Sequence, residues 1–245
     1  HPTLRRQRQM CIRDRLALID AATTGNITYS GSNDYTVSDS TISASQLNSL
    51  NAQYSGTVDA TAVTTITGTA AEITTVYSSS GISGLGDEGV TVTDTHTLAQ
   101  LKAINNATSG QLTLNDYSVA ISGSAADVAA ALAGTFGSSY TGAVTLSDNH
   151  TLAELVAINN GTSGNITLNS NAVALTGSTA DLKAALAGTF AAAYTGNVVI
   201  TDANATSIAA SDITTIAGAT NGTLTVSNNI NISGTSAAIA IAVEN

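Results

Sequence analysis

Fifty-four residues of this chain are written twice in succession. Val90 to Ala143 is followed directly by Val144 to Asn197, and 34 of the 54 aligned positions are identical. His96 returns as His150, Asp127 as Asp181 and Tyr140 as Tyr194. A fixed period of this size marks a stacked architecture, in which one repeat cannot bury its apolar face alone and several together can. Weaker copies flank the pair, residues 16–89 before it and 198–245 after it. The expectation is one continuous repeat body over residues 16–245.

Each repeat reads as two coils. Val90 to Asp94 alternates apolar and polar residues, which predicts a half-buried strand with Val90 and Val92 facing inward. Leu98, Leu101, Ile104 and Asn105 then fall on one stripe at helical spacing. Thr97-Leu-Ala-Gln100 and Thr151-Leu-Ala-Glu154 have the form of a capping box, in which the hydroxyl and the Gln or Glu side chain satisfy each other's orphan N–H groups. Gly110, Gly164 and Gly222 close the helical segments, where a left-handed residue would make glycine favourable. The second coil starts with Gly110 to Asn115 and continues through Val119 to Ser122. A helix opened by Ser124-Ala-Ala-Asp127 follows, with Val128 and Leu132 inward. Ser178-Thr-Ala-Asp181 and Thr69-Ala-Ala-Glu72 repeat that opening, and the acid suits the positive end of the helix dipole. About nine helix-like segments of this kind occur along the chain.

Strand and helix in alternation predict an α/β fold with parallel strands joined by right-handed crossovers. The expected architecture is a right-handed solenoid of stacked strand–helix coils, similar in principle to leucine-rich repeats. Strands stack at about 4.8 Å and helices at about 8–10 Å, so the body should curve with helices outside. The alternative is a straighter, mostly-β solenoid, if Thr- and Ala-rich stretches such as Thr206 to Ala219 are irregular.

Composition separates the first fifteen residues from the rest. HPTLRRQRQMCIRDR holds all five arginines and the single Pro, Met and Cys. Around MCIRDR it resembles sequencing-adapter read-through in translated metagenomic assemblies, which implies a non-native or disordered segment. A basic nucleic-acid or membrane arm is the competing reading. The register begins in mid-helix at Leu16, so the expectation is an internal fragment of a longer protein. In residues 16–245, Lys102 and Lys183 stand against sixteen acids, a net charge of −14. Such an acidic surface repels nucleic acid and anionic membrane, so neither is an expected partner. No apolar run reaches the ~20 residues of a membrane span.

The candidate chemistry is sparse. Asp39, Asp94, Asp148 and Asp202 end their strands in one register and are the candidate Ca²⁺ ligands; the plainer reading is that each caps the turn into its next helix. Members two coils apart lie about 10 Å from each other, too far to share an ion. His96 and His150 follow as solvent-side neutral residues, and the same distance denies them a shared metal. Gly84-Leu-Gly-Asp87 is a faint echo of Ca²⁺-binding glycine repeats, and the glycine-rich loop around it lacks the lysine of a phosphate loop. Eight Asn-x-Ser/Thr sequons, at Asn26, Asn106, Asn149, Asn160, Asn165, Asn204, Asn221 and Asn231, read either as glycosylation acceptors or as side chains bonding along a ladder; the second is preferred. No nucleophile elbow or triad arrangement is present, so no enzyme activity and no cofactor are expected, Ca²⁺ being the one open possibility. Tyr140 and Tyr194 are the candidate surface-binding residues.

VTVTDTHTLAQLKAINNATSGQLTL, VTLSDNHTLAELVAINNGTSGNITL and ALIDAATTGNITYSG resemble tandem repeats of very large secreted or surface adhesin-like proteins of marine bacteria and cyanobacteria, some with repeats-in-toxin modules elsewhere. The resemblance implies an extracellular or cell-surface stalk with no catalytic residues. Its implied partners are neighbouring repeats of the same chain. The second reading is a solenoid face that itself binds glycan or another surface.

Overall fold

The structure, a computed structural model, describes residues 34–53 and 56–244. The segment 1–15 with His1, the helix-like segment from Leu16, and Asn26 lie outside these residues. Short parallel strands alternate with eight helices among the described residues. The first two coils hold β1 (Tyr35–Thr36), β2 (Thr41–Ser43) and α1 (Ala44–Gln53), then β3 (Val58–Asp59), β4 (Thr65–Gly68) and α2 (Ala70–Ser78). β5 (Ile82–Ser83) follows, and the first of the paired repeats holds β6 (Gly89–Val92), which opens it, α3 (Leu98–Ala107), β7 (Leu112–Thr113), β8 (Ile121–Gly123) and α4 (Ala125–Leu132). The second holds β9 (Val144–Leu146), α5 (Leu152–Gly161), β10 (Ile166–Thr167), β11 (Leu175–Gly177) and α6 (Thr179–Leu186). The chain continues with β12 (Val198–Ile200), β13 (Ser207–Ala209), α7 (Ala210–Ala219), β14 (Leu224–Val226), β15 (Asn231–Ser233) and α8 (Ser236–Glu244). Thr206 to Ala219 is thus a strand followed by a full helix, and the mostly-β alternative fails there.

Local sequence explains the elements. Thr97 Oγ1 accepts from the Gln100 N–H and Gln100 Oε1 from the Thr97 N–H at 2.9 Å; Thr69 with Glu72, and Thr151 with Glu154, close the same box. Ser124 and Ser178 cap α4 and α6 through the amides of Asp127 and Asp181. Inward faces follow the expected stripes: Leu101, Ile104, Leu155 and Ile158 are fully buried, as are Val128 and Leu182. Each such side chain contributes roughly 1.5–3 kcal/mol on leaving water. Consecutive helices among the described residues pack on one another all along the chain.

All strand pairs are parallel, but their register differs from that of the helices. Helices begin 27 residues apart at Leu98, Ala125, Leu152 and Thr179. Over the same stretch, hydrogen-bonded partners are only 22–24 residues apart: Ile121 pairs with Val144, Val144 with Ile166, and Ile166 with Phe190. Each ladder therefore slides backward against the helices as it climbs. It starts beside a helix N-terminus and, after about two coils, has moved to the position just after the preceding helix. A fresh ladder then opens beside it. The run Ile66–Val90–Leu112–Phe136 and the run Leu175–Val198–Leu224 repeat the pattern.

Gly110, Gly164 and Gly222 serve a purpose other than the one the sequence suggests. None has a positive φ. A Cβ on Gly110 would lie 2.2 Å from the Glu88 carbonyl oxygen, and one on Gly164 2.2 Å from that of Gly142. Glycine stands there because the preceding coil's backbone comes too close for any side chain, while Thr108, Thr162 and Thr220 hold the approach by donating to the same carbonyls. The helices end instead on extended Thr residues.

Candidate functional site

The residues that recur most strictly meet inside the stack. His96 lies on the loop after β6, Val119 on the loop before β8, and Tyr140 on the loop before β9. These segments belong to three consecutive coils. Tyr140 Oη lies 2.6 Å from the Val119 carbonyl and 3.1 Å from His96 Nε2. The phenol has one hydrogen, and the carbonyl can only accept, so the hydrogen goes to Val119. His96 must then donate from Nε2, which fixes the tautomer and leaves Nδ1 an acceptor. His150, Tyr194 and the Val173 carbonyl repeat the arrangement at 3.2 and 2.6 Å. The ring pairs sit at the same centroid distance, 6.0 Å, and the same tilt, 56°, in both copies.

The relay is buried. His96 and His150 are 5% and 3% exposed, and Tyr140 and Tyr194 are 2% exposed. The histidines are therefore not solvent-side, and the tyrosines cannot present their rings to a surface partner; both sequence expectations are corrected. Nδ1 of each histidine is buried and finds no partner among the described residues. Burial holds both imidazoles below the usual histidine range, against the opposing pull of Asp116 and Asp94 on His96 and of Glu154 on His150. Burial likewise pushes the phenols of Tyr140 and Tyr194 up to about 12.

The aspartate ladder has a definite employment. Asp94 Oδ1 accepts from the Ala70 N–H at 2.8 Å, Asp148 Oδ1 from Ala125 at 2.7 Å, and Asp202 Oδ2 from Thr179 at 2.8 Å. Each carboxylate caps a helix, but it is the helix of the preceding coil rather than the next one in sequence. The reach back is what a strand-end residue gains from parallel stacking. The preceding coil that Asp39 would reach lies outside the described residues. Among the described residues no three His, Cys, Asp or Glu side chains gather closely enough to hold a metal ion.

The chain matches no family model, no curated protein and no solved structure.

Sequence reading missed two features. Glu88 is 1% exposed, with Oε2 accepting from the Gly86 and Asp87 amides and Oε1 taking the Tyr77 hydroxyl. Burial, then the Glu88 hydrogen bond, drives the Tyr77 phenol well above its ordinary range. The signal was available: Glu88 stands where the later copies have Gly142 and Gly196, and Gly86 where they have Tyr140 and Tyr194. Without a tyrosine in that loop, Tyr77 enters from α2. The second feature is the amide on each first-coil helix. Asn105 donates to the Ala130 carbonyl and Asn159 to that of Ala184, clamping neighbouring helices. Lys102 with Asp127 and Lys183 with Asp212 add ion pairs between adjacent helices.

Proposed function

We propose that the chain is a structural spacer, the stalk region of a large secreted or cell-surface adhesin-like protein, and that it performs no catalysis. Its coils form a right-handed solenoid, curved with the helices on the convex side. The observation that supports this reading is the destination of the recurring polar side chains. Many of the histidine, tyrosine, aspartate, threonine and asparagine side chains at the repeated positions, among them His96, Tyr140, Asp148, Thr162 and Asn159, are engaged in bonds from one coil to the next. A stack whose function is to hold its own coils together places polar groups in this way, because each coil meets only its neighbours. An enzyme would aim at least some of them into a shared cleft.

The test is length. Inserting a further copy of residues 90–143 after Ala143 adds two coils. Small-angle scattering should then give a maximum dimension longer by about 10–20 Å, bounded by the strand and helix spacings. An unchanged dimension, or loss of cooperative unfolding, would sink the spacer reading.

A further inference from the structure

One cleft in the stack has a lining that its sister sites lack. It is a cavity of about 400 Å³ between the connection from α4 to β9 and the C-terminal end of α5. Phe136 forms part of its wall, half-buried, its ring 5.9 Å from that of Tyr140 and tilted by 44°. Ser138, Ser139 and Asn160 line it as well; all three are exposed, and none of their side chains has a hydrogen-bond partner among the described residues.

The repeat supplies its own comparison. In the following copy the framework is retained as Phe190, Tyr194 and Thr220, with the rings 6.1 Å apart. Ala192 and Ala193 stand there for Ser138 and Ser139, and Gly218 is the last residue but one of α7, as Asn160 is of α5. In the preceding copy Ile82 replaces Phe136, and Gly84, Leu85 and Gly86 replace the serines and Tyr140. Groups that build the coil recur, whereas the aromatic wall combined with three unengaged polar side chains is found in this copy and not in the two beside it.

We propose that this cleft binds an uncharged saccharide. Its lining carries no acid, lysine, arginine or histidine. Its one ionisable group, the Tyr140 phenol, is buried and committed to Val119 and His96. A charged ligand would meet no counter-charge, and an anion would also meet a chain of net charge −10. A purely apolar ligand would desolvate three polar side chains without replacing their water. A sugar ring offers a C–H face to the negative face of Phe136 and hydroxyls to the serines and the amide. The volume admits on the order of one or two rings. The inference goes beyond the spacer reading, which stands or falls separately on the length measurement.

Backbone amide NMR of the full chain, titrated to millimolar cellohexaose, maltohexaose, laminarihexaose and chitohexaose, tests it. At least one of these should shift the amides of Ser138, Ser139, Asn160 and Ser163 and leave those of Ala192 and Ala193 still. Replacing Ser138→Ala, Ser139→Ala and Asn160→Gly together gives the sister lining and should weaken binding by about tenfold or more, since two or three hydrogen bonds are lost. The converse set, Ala192→Ser, Ala193→Ser and Gly218→Asn, should make the sister cleft respond. Silence with all four sugars, equal shifts at both clefts, or tighter binding of an oligogalacturonate would overturn the proposal.

Discussion

Nε2 of His96 lies 3.1 Å from the hydroxyl of Tyr140, forty-four residues further along the chain. The contact spans the intervening coil, and the Tyr140 hydroxyl is anchored to that coil through Val119. One buried chain of two hydrogen bonds thus joins three layers, and it recurs at His150 and Tyr194.

Acid should loosen the stack through these histidines. Their folded-state pKa is below the ordinary 6.5, so the unfolded chain binds protons first as pH falls. Stability is complete above about pH 6.5 and declines below it, each site contributing a slope of up to about 1.4 kcal/mol per pH unit until the folded form also titrates. Carboxylates whose pKa is lowered, such as Asp127 beside Lys102 and Glu72 within its capping box, lose their contribution only at lower pH. Urea unfolding at pH 7.5 and 5.5 measures the difference. Replacing His96→Gln and His150→Gln together should flatten it; an equally steep profile in that variant would place the pH dependence elsewhere.

Tyr140→Phe removes the donor to Val119 and the acceptor for His96 at one stroke. Two buried polar groups lose their partner, and unfolding should become easier by about 2–4 kcal/mol. Adding His96→Leu to Tyr140→Phe should return part of that loss, because the stranded imidazole is gone. A double-mutant cycle by urea denaturation reads the coupling; additive losses would show that the two side chains do not cooperate.

Two glycines should respond to alanine with opposite signs. Gly164→Ala places a methyl 2.2 Å from the Gly142 carbonyl oxygen, and the coils must part, at about 2–3 kcal/mol or more. Gly218 lies within α7 with nothing near the position of its absent Cβ. Gly218→Ala should stabilise by about 0.5–1 kcal/mol through helix propensity alone. Equal effects at both sites in thermal unfolding would remove close approach as the reason for Gly164.

Asp148→Ala exposes the first amide of α4 and should cost about 1 kcal/mol, with Asp148→Asn milder because its carbonyl still accepts. Since Asp94, Asp148 and Asp202 are engaged as caps, the melting temperature should be the same in EDTA and in millimolar Ca²⁺. A marked rise with Ca²⁺ would reassign the ladder as an ion site.

What the sequence made legible was whatever depends on near neighbours. The capping boxes at Thr97 and Thr151, the inward Val90 and Val92, and the helical stripe through Leu101 and Ile104 are set by spacings of two to four residues, and they stand where expected. The burial of His96 and Tyr140 was not legible, since it depends on partners 21 and 44 residues apart, and polar residues near a helix start ordinarily face water. The direction of the Asp148 cap was hidden for the same reason: its target Ala125 lies 23 residues earlier, a distance that acquires meaning only once the coils are stacked. For Gly164, left-handed backbone and close approach favour the same residue, and only the geometry separates them.

The sliding strand ladders bear on how such a chain can grow. A ladder opens beside a helix, shifts across its coil and gives way to a new one, so the layout of a layer is restored only at the second layer above it. Tandem copying that added a single coil would leave one strand opposite a loop. Two coils form the smallest insert that joins seamlessly at both ends, which gives a structural reason for a genetic unit of 54 residues rather than 27.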